Sequence, residues 1–206
     1  MQTILLATRN RKKLAELQAL LADRSGTCRF VTIDDVDAQL PDVDEDGETF
    51  TANACKKALV LAQASGLLTL ADDSGLAVDA LGGAPGVRSA RFAGEPSDDA
   101  ANNALLLQKL LLVHDRSAQF HCVLALATPD GRCATVAGVC KGHLREAPSG
   151  AAGFGYDPLF VPEGYTQTFA ELGADVKHRV SHRAQALRAA RATWVRNGMF
   201  ALPEKD

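Results

Sequence analysis

The sequence predicts an α/β fold. The chain opens with an apolar run, "QTILLAT", followed at once by a stretch of helical periodicity and a second apolar run, "CRFVTI". Strand–helix–strand in that order is the opening of an α/β architecture. Apolar runs and amphipathic stretches keep alternating after it, separated by loops rich in glycine and proline. No internal repeat, low-complexity tract or linker interrupts the 206 residues, so residues 1–206 are expected to form a single domain. Any second lobe is then built from non-contiguous pieces or from the hairpin in the middle of the chain.

Each element follows from its own residues. "QTILLAT" is a buried first strand. In "NRKKLAELQALLAD", Leu14, Leu17, Leu20 and Leu21 share one helical face, and Asn10 stands where an N-cap belongs. "CRFVTI" is the second strand, and residues 34–48, "DDVDAQLPDVDEDGE", form an acidic loop. "TFTANACKKALVLAQASG" is a helix stopped by Gly66. "LLTLAD" is a third strand that ends at the adjacent acids Asp72 and Asp73. Residues 79–97 carry turn chemistry, and "SDDAANNALLLQKLLLVH" is a helix with Ser97 as its N-cap. "AQFHCVLALAT" and "RCATVAGVCKGHL" flank "PDG" as a hairpin. "APSGAAGFGYDPLFVPEGY" is a second glycine-rich loop, and the last helix runs from about Ser181 to Asn197.

Composition narrows the function classes. Apolar residues make up 47% and charged residues 23%, as in ordinary globular proteins. A net charge of −3 and a pI of about 5.9 argue against a grip on a nucleic-acid polymer, which calls for a basic face. The five cysteines (Cys28, Cys55, Cys122, Cys133 and Cys140) form no CxxC pair and sit mostly among apolar neighbours. They are expected to act as small core residues rather than as disulfides or zinc ligands. The N-terminus lacks a signal-peptide pattern and no apolar run spans a membrane, so the expected location is the cytoplasm.

Four clusters carry candidate chemistry. "TRNRKK", residues 8–13, lies at a strand-to-helix junction, where helix N–H groups and the helix dipole favour an anion. It is not a glycine-rich Walker loop; the plainer reading is a capped helix with solvated basic residues. The acids Asp42, Asp44, Glu45, Asp46 and Glu48, with Asp72 and Asp73, suit a hard cation such as Mg²⁺ if they converge. Neighbouring side chains in an extended segment point opposite ways, so one of the two adjacent aspartates faces the site and the other supports it. "GFGYDP", residues 153–158, sets Phe154 between two glycines, a platform on which a base could stack or simply a turn. "KHRVSHR", residues 177–183, packs Lys177, His178, Arg179, His182 and Arg183 around Ser181, a candidate cap for the last helix. Basic residues in a first helical turn oppose the dipole, and an anionic or electron-rich partner would compensate them. The four together suit a nucleoside polyphosphate with Mg²⁺. With no Ser-His-Asp or Cys-His pattern, an activated water is the natural nucleophile.

The ordered blocks "LATRNRKKLAEL", "GETFTANACKKA", "ADDSGLAVDALGGAPGVRSARFAG", "FHCVLAL", "GFGYDPLF" and "KHRVSHRAQAL" resemble the inosine/xanthosine triphosphate pyrophosphatase family over nearly the whole chain. The resemblance implies an elongated mixed β-sheet flanked by helices, in two lobes with the active site in the cleft between them. It implies Mg²⁺-dependent hydrolysis of ITP, dITP and XTP to the monophosphate and pyrophosphate, and a homodimer whose only other partner is the small-molecule nucleotide. By motif position, Thr8, Arg9, Asn10, Arg11, Lys12 and Lys13 would bind the triphosphate, with Lys57 adding charge and Ser74 touching substrate. Asp73 would be the general base and a metal ligand, with Asp72 and Glu45 as further ligands. Phe154, Gly155, Tyr156 and Asp157 would hold the base, and Lys177, His182 and Arg183 would read its 6-oxo group. Many relatives carry an acid where this chain has Ala52, which shifts weight onto Glu45 or Glu48. The alternatives are a pyrophosphatase for other modified nucleotides, a non-catalytic nucleotide-binding protein, and an interaction module that uses the acidic loop.

Overall fold

The computed structural model describes residues 1–21, 28–36 and 39–194. Six strands, β1 (Gln2–Leu6), β2 (Cys28–Thr32), β3 (Leu68–Val78), β4 (Ser117–Ala127), β5 (Cys133–Leu144) and β6 (Phe160–Pro162), form one sheet in the order β2-β1-β3-β4-β5-β6. β1 runs parallel to β2, with Ile4 opposite Phe30, and parallel to β3, with Leu5 opposite Thr69. β6 runs antiparallel to β5, with His143 opposite Val161. The described helices are α1 (Arg11–Leu21), α2 (Phe50–Ser65), α3 (Asp99–Lys109), α4 (Phe169–Val180) and α5 (His182–Trp194). This is the α/β fold with a mixed sheet that the sequence predicts. None of the described helices is long and apolar enough to cross a membrane.

The described residues fall into two compact units. The first draws on Met1–Asp73, Val123–Ala137 and the chain from Ala186; the second draws on Ser74–Cys122 and Gly138–Gln185. In the first, Ala54, Ala58, Leu61 and Ala62 of α2 cluster with Leu5, Ala7, Ala71, Val123, Ala125 and Ala127 of the strands and their ends. The small side chains on both surfaces let the helix lie close to the sheet. The second unit has an aromatic core. Phe120 meets Phe160 edge-on at 4.7 Å, Phe160 stacks on Phe169 at 5.4 Å, and Leu76, Val78, Leu106 and Leu159 fill in around them. Edge-on and offset pairs of this kind favour the ring quadrupoles.

Local signals held where they were short-range. Asn10 Oδ1 accepts from the Lys12 and Lys13 N–H groups, and Gly66 ends α2 in the left-handed conformation at φ 68°. Ser181 Oγ accepts from the Ala184 N–H, so it caps α5. Four readings need correction. β3 does not stop at Asp72; it continues to Val78, which puts Asp72 and Asp73 in mid-strand. α3 is capped by Asp98, whose carboxylate takes the N–H of both Ala100 and Ala101, while Ser97 instead donates to the Ala90 carbonyl. A carboxylate satisfies two orphan helix donors at once, and that favours Asp98. Within the second glycine-rich loop lies β6, and beyond it lies α4, which no periodicity announced. Gly173, at φ 76°, breaks α4 into two pieces and blurs its pattern. The helix end placed at Asn197, and Ala22 and Asp23 at the end of the first helix, lie outside the described residues.

All five cysteines carry free thiols. The Cys133 thiol donates to Cys55 Sγ at 3.5 Å, and burial together with that neighbour pushes Cys133 up to about 12. Burial and the Glu163 charge push Cys140 up to about 12 as well. The thiolate is the reactive form. At pH 8 these two thiols should therefore react with iodoacetamide far more slowly than an ordinary thiol, by a factor on the order of 10³. Mass spectrometry before and after denaturation checks this; native-state labelling as fast as in the unfolded chain would refute it.

Candidate active site

In the first unit the site grows from the junction after β1. Ala7 N–H donates to the Leu70 carbonyl and ties this junction to β3. The chain turns at Thr8, whose Oγ1 accepts from the Asn10 N–H at 3.2 Å. Because the Asn10 cap takes the Lys12 and Lys13 amides, those groups are not open to an anion as the sequence reading supposed. Lys13 Nζ lies 3.4 Å from Asp72 Oδ2. Arg9 instead pairs with Asp42 at the surface, and Arg11 and Lys12 are exposed.

Asp72 and Asp73 are buried, at 1% and 3% exposure. Asp73 Oδ2 accepts from Asn53 Nδ2 at 3.0 Å. Burial raises the Asp73 carboxyl above its ordinary value; Lys13, the Asn53 bond and Lys57 pull the other way, and Glu45 adds to the rise. Lys57 lies on α2, buried, and binds the Glu45 carboxylate. Burial works against its charge, but Asp72, Glu45 and Asp73 outweigh it and hold Lys57 above its ordinary value. Glu48 is exposed, so Glu45 is the loop acid that joins this cluster.

Asn53 was missed by the sequence reading. Its Oδ1 accepts from the Gly47 N–H at 2.7 Å, and its Nδ2 donates to the Gly47 carbonyl at 3.3 Å as well as to Asp73. One buried amide thus ties the acidic loop to β3. A Cβ on Gly47 would lie 2.6 Å from Asn53 Oδ1, so a side chain there would push the amide off this contact.

The second unit carries the "GFGYDP" loop. Asp157 Oδ2 accepts from the Phe154 N–H at 2.8 Å and from Lys177 Nζ at 2.6 Å, in a buried ion pair. The Lys177 ammonium stands 4.4 Å from the Phe154 ring centroid, within cation–π range. Gly155 adopts φ 60°, its N–H donates to Asp99 Oδ2 at 3.0 Å, and its carbonyl accepts from Asn103 Nδ2 at 2.8 Å. Tyr156 belongs to the aromatic core and donates to the Ser89 carbonyl, so it braces the loop from beneath. His182 stacks on Phe120 at 4.7 Å, and Arg183, buried, donates to Ser74 Oγ at 3.0 Å. Asp99 and Asn103 were also missed. The signal for Asn103 was two adjacent asparagines inside a helix, a residue type that helix interiors disfavour without a hydrogen-bonding reason.

A sequence model of the Ham1 family matches residues 4–193. The chain belongs to the Ham1 family. Among the proteins it is similar to, the dITP/XTP pyrophosphatase of Streptomyces coelicolor is 51% identical over 191 residues, covering 92% of this chain and 95% of that one. A solved HAM1 protein from Coxiella burnetii superposes with TM-score 0.85 at 40% identity, covering 95% of this chain and 100% of the other. The nucleoside-triphosphatase / dITP/XTP pyrophosphatase of Mycobacterium abscessus superposes with TM-score 0.75 at 47% identity, over 91% and 98%. The resemblance carried by the sequence motifs is thereby established at the level of the family.

The expected metal set of Glu45, Asp72 and Asp73 is not gathered into a cage. Among the described residues no three His, Cys, Asp or Glu side chains group as a metal centre. In place of a cage, lysines engage Glu45 and Asp72. The donor chemistry still fits Mg²⁺, which binds through one or two carboxylates plus substrate phosphates and keeps several waters. The Glu45 charge is felt at Asp73 as repulsion, which a cation would relieve.

Because burial raises the Asp73 carboxyl, the folded state holds that proton more tightly than the unfolded chain. Its contribution to stability is present below the unfolded pKa and is lost as pH rises through the folded one. Asp73→Asn should therefore melt at a higher temperature than the parent at pH 7, with the gap closing as pH falls below the ordinary carboxylate range. Calorimetry across pH checks this; a variant less stable at pH 7 would contradict it.

Proposed function

We propose that this chain is a nucleoside-triphosphate pyrophosphatase that hydrolyses non-standard purine nucleotides (ITP, dITP and XTP) to the monophosphate and pyrophosphate, clearing them from the nucleotide pool. The observation that carries the reading is the buried Asp72-Asp73 pair in mid-strand, with Lys13, Asn53, Lys57 and Glu45 around it. Buried charges are costly unless paired. A core strand needs neither carboxylate, whereas cleavage of a phosphoanhydride needs cations for the phosphates and a base for water.

In this reading Asp73 accepts the proton of the attacking water, and Lys13 and Lys57 neutralise the phosphates. Thr8 and Asn10 orient them at the strand–helix turn, with Arg9, Arg11 and Lys12 supplying charge at its exposed rim. Mg²⁺, held by Asp73 with Glu45 and Asp72 and by the substrate phosphates, would supply charge neutralisation and a more acidic water. The second unit handles the base. Phe154 offers a ring face on the Gly155–Asp157 turn, Ser74 touches substrate, and Lys177, His182 and Arg183 donate to an acceptor at C6. Hypoxanthine and xanthine present an oxygen there and adenine an amine, so adenine leaves buried donors unpaired. The reading extends to a homodimer working in the cytoplasm.

Purified protein should release pyrophosphate from ITP, dITP and XTP with Mg²⁺, release little from GTP, and stop when the metal is chelated. Well-folded protein that releases none from any non-standard purine would end this reading. Faster release from methylated pyrimidine or 8-oxo purine triphosphates would move the activity to another modified nucleotide. Asp73→Asn should lower kcat by about 10²–10⁴-fold while nucleotide affinity stays within a few-fold; turnover near the parental rate would remove Asp73 from the chemistry.

A further inference from the structure

We infer that Asp99 and Asn103 of α3 are specificity-determining positioning residues that grip Gly155 and so set which base the protein accepts. The inference rests on the proposed pyrophosphatase reading. Asp99 and Asn103 are one helical turn apart and take the two sides of the same residue. Asp99 Oδ2 accepts from the Gly155 N–H at 3.0 Å, and Asn103 Nδ2 donates to the Gly155 carbonyl at 2.8 Å. The peptide before Gly155 and the peptide after it are both fixed to α3. On the other side of Phe154, the Phe154 N–H is held by Asp157 Oδ2. The backbone of Phe154 is therefore tied at both ends, once through Asp157 and once through Asp99. Its ring has nowhere to turn except about its own side-chain bonds, and the Lys177 ammonium sits 4.4 Å from its centroid.

The grip is built rather than incidental. Gly155 is in the left-handed region at φ 60°, where a side chain is disfavoured, so this residue type is required for the turn that presents both of its polar groups to one helix. The helix has its own cap in Asp98, which leaves Asp99 for the loop. Asn103 Nδ2 also donates to the Asp99 carbonyl at 2.8 Å, which stiffens the pair. Neither residue needs to touch the base. They act through the orientation of Phe154 and through Asp157 on the same turn, whose carboxylate holds Lys177 of α4. Discrimination between a 6-oxo and a 6-amino purine depends on donors held in place when the wrong base arrives. A loop free to adjust would re-pair its donors and forgive the error.

Asn102 is the internal control. It sits next to Asn103 on α3, is buried as well and also bonds to loop backbone, but at Ala90 and Ala93 instead of Gly155. The experiment measures kcat and KM for ITP and ATP with the full chain and with Asp99→Ala, Asn103→Ala and Asn102→Ala, alongside melting temperatures. Asp99→Ala and Asn103→Ala should each raise KM for ITP and lower the ITP-to-ATP ratio of kcat/KM by about tenfold, with kcat for ITP changed far less. Asn102→Ala should lower the melting temperature and leave the ratio alone. Asp99 is partly exposed and Asp98 keeps the helix capped, so Asp99→Ala carries the test even if Asn103→Ala does not fold. A ratio within about twofold of the parent in folded Asp99→Ala or Asn103→Ala, or an equal loss in Asn102→Ala, would overturn the inference. A parent protein that releases no pyrophosphate from ITP would instead overturn the reading beneath it.

Discussion

A carboxylate in the middle of a buried strand has to be held by something, and in this protein the holder of Asp73 is the amide of Asn53. The rest of the first unit can be understood from that contact. Asn53 sits in the first turns of α2, whose alanine face packs against the sheet, so the position of the amide is set by the core. The same amide closes on Gly47 and brings the acidic loop, with Glu45, toward the strand. Lys57, one turn further along α2, then meets Glu45, and Lys13 at the start of α1 reaches Asp72. Three carboxylates, Asp72, Asp73 and Glu45, are thereby brought beside two ammonium groups, with both aspartates almost fully buried. The buried ammonium depends on these acids: Asp72, Glu45 and Asp73 together hold Lys57 above its ordinary value against the cost of its burial.

The second unit repeats the device with different parts. There an asparagine and an aspartate from one helix fix a glycine in a loop, and the loop carries the groups proposed to meet the base. In both places a helix interior gives up favourable residues for asparagine, and in both the amide reaches a backbone that must not move. A functional loop on a rigid support is a common way to combine access with precision. Here the support is two hydrogen bonds per loop. In the proposed function, metal-binding and phosphate-binding chemistry belong to the first unit and base recognition to the second.

Much of this was legible in the sequence, for physical reasons that differ by element. Asn10, Gly66 and Ser181 announced themselves because a cap is a local event, decided within four residues. The Asp72-Asp73 pair drew attention by its charge, yet its place in the strand was misread. Asp-Asp-Ser-Gly is turn chemistry, and only pairing across the sheet overrides it. α4 was missed because Gly173 interrupts its period, although Thr168 and Glu171 form a capping box visible as T-x-x-E. Asn53, Asp99 and Asn103 were missed for a different reason. Asn53 finds Asp73 across 20 residues and Asn103 finds Gly155 across 52, separations at which a single sequence holds no geometric signal. What sequence offered instead was oddity: amides placed where a helix would rather have none.

In the proposed pyrophosphatase, Asp73 acts through its setting more than through its mere presence. The most direct measurement is turnover of ITP by Asn53→Ala at saturating nucleotide and Mg²⁺, with nucleotide affinity and melting temperature taken on the same protein. Turnover should fall by about 10²-fold in kcat, the scale expected for a displaced reacting group, with affinity changed far less. A folded Asn53→Ala protein with kcat near the parental value would contradict it.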